Sequence, residues 1–178
     1  MDVFKSFVLR SVGDMFRDGI RKQTKSLLSN YPIKRGYPPV NVWLLAKELN
    51  YPVYQASFRN ENISGGITFN AYGNGKIYVN HNDSSFRQRF TIAHEISHAV
   101  LHSEKYKQNG ILEQIDMFRT GRGTGNELEL EANEFTVALL MPENLVRKYG
   151  SHWGLLRCWQ IFSKFRFRLC HIAYISSS

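Results

Sequence analysis

Arg89-Phe-Thr-Ile-Ala-His-Glu-Ile-Ser-His-Ala-Val-Leu-His102 contains His94-Glu95-Ile96-Ser97-His98, two histidines four positions apart with a glutamate directly after the first. On an α-helix, residues four apart lie about one turn, roughly 6 Å, from each other on the same face. Two imidazole nitrogens placed that way can close on one metal ion at about 2.0–2.1 Å each. Glu95 then stands beside the ion, placed to take a proton from metal-activated water, which is how this pattern hydrolyses peptide bonds. An ordinary amphipathic helix with partly buried histidines would carry the same letters. The surroundings argue against that: Phe90, Ile92, Ala93, Ile96, Ala99, Val100 and Leu101 are apolar and predict a helix sunk in the domain. Unsatisfied polar groups in such a setting cost several kcal/mol, roughly 2–7 each, and a metal would satisfy these.

A catalytic zinc site takes three protein ligands and leaves the fourth position open. The third is sought in Asn126-Glu-Leu-Glu-Leu-Glu-Ala-Asn-Glu-Phe-Thr-Val-Ala-Leu-Leu-Met-Pro142. Leu128, Ala132, Phe135, Leu139 and Leu140 recur at helical spacing, Asn126 is a plausible N-cap, and Pro142 stops or restarts the helix. Glu127, Glu129, Glu131 and Glu134 are all available as ligands, and equally as capping groups or as a solvated acidic face near the positive helix end. Spacing does not choose among them. His102 is eight positions from His94 and lies about 12 Å away along a continuous helix, too far to share one ion, so it reads as a structural or supporting residue.

These motifs in this order, with Glu129-Leu-Glu-Ala-Asn-Glu-Phe135 and Leu139-Leu-Met-Pro142 following the histidine helix, resemble the ImmA/IrrE family of zinc metallo-endopeptidases. The resemblance covers about residues 38 to 145. It implies an α+β fold, a zincin-like single domain whose helices pack on a small antiparallel or mixed sheet. It places the third zinc ligand at Glu129, with Glu131 as second choice and Asn133 as a partner for a histidine or for Glu129. It also implies a protein substrate, typically a helix-turn-helix transcriptional repressor whose cleavage relieves repression of stress-response or mobile-element genes, in the cytoplasm.

Upstream, Ser64-Gly-Gly-Ile-Thr-Phe-Asn70 and Lys76-Ile-Tyr-Val-Asn80 flank a turn-forming segment and predict a β-hairpin. Ile77 to Asn80 is the candidate for pairing with an extended substrate backbone. Residues 37 to 53 predict turn, helix and strand. Tyr78, His102 and Arg87 are the candidate second donors to an oxyanion beside the metal.

The chain of 178 residues, 43% hydrophobic, suffices for one domain with a real core. The expected division is a helical extension over 1–36, the peptidase domain over 37–145 and a basic aromatic helical tail over 146–178. The N-terminal apolar run is short and interrupted by Lys5, Arg10 and Arg17, which argues against a membrane span. Thr120 to Asn126 is glycine-rich but lacks the G-K-[ST] ending of a phosphate loop. Cys158 and Cys170 fit no zinc-knuckle spacing and are expected to be reduced thiols, which points inside the cell. The formal charge of +8 is concentrated late: Arg147, Lys148, Arg157, Lys164, Arg166 and Arg168 stand among Trp153, Trp159, Phe162, Phe165 and Phe167. That pattern reads as a tail with a solvated basic edge, and alternatively as a nucleic-acid face. The competing function is therefore a non-catalytic basic module that binds DNA or a partner protein around a structural metal. Glu95 favours the enzyme, because a structural site has no use for a carboxylate beside the ion.

Overall fold

Residues 18–30, 40–70, 72–108, 113–116 and 127–142 are those described by this computed structural model, and all fall in one unit, Phe16–Pro142. Among them, four helices and four strands follow in the order α1 (Asp18–Asn30), α2 (Val42–Glu48), β1 (Val53–Ala56), β2 (Gly65–Phe69), β3 (Gly75–Asn80), α3 (Ser85–Gln108), β4 (Glu113–Asp116) and α4 (Glu127–Leu140). The expected α+β class holds, with the helices packed on a mixed sheet.

The helix and strand expected within 37 to 53 appear as α2 and β1, while the turn expected at their start lies outside the described residues. Asn41 caps α2, its side-chain oxygen accepting from the Leu44 N–H at 3.1 Å. Asn50 leaves the helix at φ 61°, a left-handed conformation that asparagine tolerates better than most residues. The predicted hairpin is present as β2 and β3, paired antiparallel with the fully buried Ile67 opposite Ile77. Its connection is set by Asn70, whose side-chain oxygen accepts from the N–H groups of Tyr72 and Asn74 at 3.0 and 2.9 Å. Gly73 supplies the positive φ of 80° that this tight connection needs.

The sheet order is β1-β3-β2-β4, with β1 parallel to β3, and β2 antiparallel to both β3 and β4. This corrects one expectation. Strand β3 lies inside the sheet, hydrogen-bonded on both sides, so Ile77–Asn80 has no free edge to offer a substrate backbone. Its alternating Ile77 and Val79 are buried because β3 is a core strand.

Helix α3 lies against β2 and β3 and touches α2 on one side and α4 on the other, while α1 packs on α4. Every residue from Phe90 to Ala99 is buried. A helix covered all round can afford no outward polar stripe, and its apolar members, among them Ile92 and Ile96 at 0% exposure, each stabilise the fold by roughly 1.5–3 kcal/mol. The continuous burial ends two residues short of expectation, since Val100 is 37% exposed and Leu101 is half-buried, although His102 and Tyr106 beyond them are buried again. Gly65 permits the close approach of α3: a Cβ there would sit 2.4 Å from Thr91 Cγ2 and 2.5 Å from the Tyr78 carbonyl oxygen. Across the α3–α4 contact Ser97 Oγ lies 2.9 Å from Thr136 Oγ1, and each hydroxyl is also within reach of the carbonyl four residues back in its own helix. Two hydroxyl protons serve these three contacts, so when one hydroxyl donates across to the other helix, only the other is left to donate to its own helix's carbonyl.

Candidate metal centre

The one-turn spacing of His94 and His98 on α3 brings their Nε2 atoms to 2.9 Å, both rings being fully buried. Glu129 reaches them from α4. Its Oε2 lies 3.3 Å from His94 Nε2, and its Oε1 lies 3.3 Å from His98 Nε2. Three ligand atoms from two helices thus converge on one point. Donors held at about 2.0–2.1 Å around a tetrahedral ion stand about 3.3–3.4 Å from one another; the two carboxylate contacts meet that value, and the histidine pair is a few tenths of an ångström tighter. The donor set and its spacing therefore fit a divalent metal. Burial by itself would raise the Glu129 carboxyl, but hydrogen bonds and charge from His94 and His98 prevail and hold it well below the ordinary carboxylate range.

The structure thereby separates the acidic residues that spacing left equivalent. Glu129 joins the two histidines, whereas Glu131 points elsewhere, its Oε2 lying 3.1 Å from His102 Nε2. Glu95 is fully buried on the helix position next to His94 and is not one of the three converging groups.

Behind His98 lies a second layer. Its Nδ1 is 3.2 Å from His102 Nδ1 and 2.7 Å from the Tyr106 hydroxyl. His102 is therefore on the far side of His98 from Glu129, in the supporting position expected of it, and this removes it from the candidate oxyanion donors. Burial lowers the His102 pKa, against the opposing pull of the Glu131 carboxylate. Of the other two candidate donors, Arg87 donates from Nε to Ser64 Oγ at 3.1 Å, and Tyr78 stacks on Tyr54 with ring centroids 5.7 Å apart. Tyr106 escaped the sequence reading. The signal was there, because 94, 98, 102 and 106 form one unbroken stripe at intervals of four on α3.

The hydrogen bond expected of Asn133 is not made by its side-chain oxygen, which is buried without a partner among the described residues. Asn126, the glycine-rich segment 120–126, the two cysteines and the basic tail lie outside the described residues.

The start of α3 is held by side chains rather than by a loop of its own. Gln88 Nε2 donates to the carbonyls of Asn80, His81 and Asp83 at 3.2, 3.2 and 2.9 Å, and Gln55 Nε2 donates to Gln88 Oε1 at 3.2 Å. Arg89 donates to the Val40 carbonyl. These bonds tie the end of β3, β1 and the segment leading into α2 to the start of the histidine helix, so His94 is delivered from a fixed base. No helix among the described residues is long and apolar enough to cross a membrane. No curated protein sequence matches the chain significantly. The family described as the IrrE N-terminal-like domain, a peptidase family, matches over residues 46–152, a span that holds α3, α4 and the whole donor set.

Proposed function

Since the chain belongs to the IrrE N-terminal-like domain family of peptidases, we propose that it is a zinc-dependent endopeptidase in which His94, His98 and Glu129 hold one ion and Glu95 is the general base. The observation that carries this reading is the convergence of the three donor groups beside a buried glutamate. Two imidazoles and a carboxylate are a donor set that catalytic zinc uses, with a fourth position left open. When bound, the metal supplies Lewis acidity, lowering the pKa of water and polarising the scissile carbonyl.

The chain's own residues do the rest. Glu95 accepts a proton from the attacking water and returns it to the departing amine, so one carboxylate serves both halves of the hydrolysis. Its side chain is fully buried in α3. His94 and His98 are held by the helix turn, and α4, which carries Glu129, is joined to α3 by the Ser97–Thr136 contact.

The substrate we propose is a helix-turn-helix transcriptional repressor, cut in the cytoplasm so that repression is relieved in a stress response. The resemblance to ImmA/IrrE peptidases supports this choice, and the peptidase unit is taken as residues 37–145. Candidate repressors incubated with the zinc-loaded protein should be cut at one site, and Glu95→Gln should retain the zinc and lose the cutting. Equal cutting by wild type and Glu95→Gln would end the role of Glu95. Zinc binding without cutting of any repressor by the wild type would favour the non-catalytic module.

A further inference from the structure

The stripe of α3 that carries the histidines ends in a tyrosine. Tyr106 is 2% exposed, and its hydroxyl lies 2.7 Å from His98 Nδ1, closer than the 3.2 Å between that atom and His102 Nδ1. We propose that Tyr106 is a positioning residue, whose hydroxyl selects the orientation of the His98 ring that turns Nε2 toward His94 and Glu129. An imidazole turns about its Cβ–Cγ bond between two broad wells about 180° apart. In the orientation seen, Nδ1 meets the hydroxyl, and Nε2 lies 2.9 Å from His94 Nε2 and 3.3 Å from Glu129 Oε1. A half-turn would exchange Nδ1 with Cδ2 and Nε2 with Cε1. The hydroxyl would then face a carbon, and a carbon would take the place of the donor atom.

The two orientations have nearly the same shape, so packing alone discriminates poorly between them and polar contacts must decide. Glu129 also favours the one seen, but it stands on another helix. Tyr106 and His98 share α3, and their contact holds its register however α4 lies. A hydroxyl can donate or accept, so the contact orients the ring whichever of the two atoms carries the proton. Tyr106 is in turn backed by the sheet: its ring lies against buried Phe69 of β2, centroids 6.1 Å apart. One aromatic contact and one hydrogen bond thus lead from β2 to a donor of the metal centre. Groups that orient a ligating histidine through its other nitrogen typically contribute about 10–100-fold to metal affinity.

The inference rests on the proposed metal site, and its test keeps the two failures apart. Tyr106→Phe removes one oxygen and keeps the ring on Phe69. In the metal-free protein, nuclear Overhauser contacts of the His98 ring protons should report one ring orientation in the wild type and two in Tyr106→Phe. Zinc titration should show binding about 10–100-fold weaker in the variant, with the Tm of the metal-free protein nearly unchanged. The visible spectrum of the cobalt-loaded variant should also shift, which a role in packing alone would not produce. Two His98 orientations in the wild type would overturn the proposal. So would a single orientation in Tyr106→Phe, or wild-type zinc affinity and cobalt spectrum in that variant. If Tyr106→Phe loses the single orientation but the wild type binds neither zinc nor cobalt, the positioning role stands and the metal-site reading fails.

Discussion

Replacing Gly65 by alanine tests the packing that sets α3 on the sheet. The added Cβ would lie 2.4 Å from Thr91 Cγ2 and 2.5 Å from the Tyr78 carbonyl oxygen, whereas non-bonded carbon atoms rest at about 3.5–4.0 Å. An overlap of roughly 1 Å on two sides must be relieved. The Thr91 methyl can move a little, but Tyr78 lies in the β2–β3 ladder, opposite Gly66, and cannot retreat without breaking strand pairing. The helix and strand must part, and overpacking of this kind costs about 1–3 kcal/mol, with the backbone clash placing it toward the upper end. For a domain of this size that lowers Tm by roughly 5–10 °C. Zinc affinity should change far less, because the donors are assembled between α3 and α4, which are tied by Ser97 and Thr136 and not by the sheet. Thermal unfolding followed by circular dichroism, with zinc titration of the same samples, reads both quantities. Adding Thr91→Ser to Gly65→Ala removes the methyl but not the carbonyl and should restore part of the lost Tm. An unchanged Tm in Gly65→Ala would refute the close-approach argument, and zinc binding that collapses in step with Tm would refute the independence of the donor cluster.

Three further outcomes are expected. Ile96→Ala empties a fully buried position on α3 facing the core and should cost about 2–5 kcal/mol in chemical denaturation; a loss under half of the lower figure would mean that the site collapses to fill the cavity. Metal removal by a chelator should lower Tm, because an ion bound only by the folded state at about a thousand times its Kd contributes about 4 kcal/mol, and a Tm insensitive to chelation would show that no ion is bound. In the metal-free protein, Glu129 is held below its ordinary value of 4.5, so its contribution to stability is fully present above that pH and is lost as pH falls through the lower folded value. Glu129→Gln should therefore flatten the acid limb of the stability profile, and an unaltered limb would show that the Glu129–histidine contacts contribute little.

The helix and its two histidines were legible in the sequence because the i, i+4 relation is local: one periodicity both makes the helix and aligns the rings. The hairpin was legible for the same reason, since Asn70 and Gly73 lie inside the turn they shape. Glu129 was not legible from spacing. Glu127, Glu129, Glu131 and Glu134 differ only in angle around α4, and which of them meets His94 depends on how α4 lies on α3, a contact between segments far apart in the chain. Only the family resemblance singled out Glu129. The interior place of β3 was hidden likewise, because nothing within Val53–Ala56 announces that it pairs in parallel with residues 77–80.

The most direct test is zinc content by elemental analysis of purified wild type beside Glu129→Ala and Glu131→Ala, after metal loading and desalting. The geometry predicts one zinc per wild-type chain, its loss in Glu129→Ala and its retention in Glu131→Ala. No zinc in the wild type, or full occupancy in Glu129→Ala with loss in Glu131→Ala, would contradict the assignment of the site.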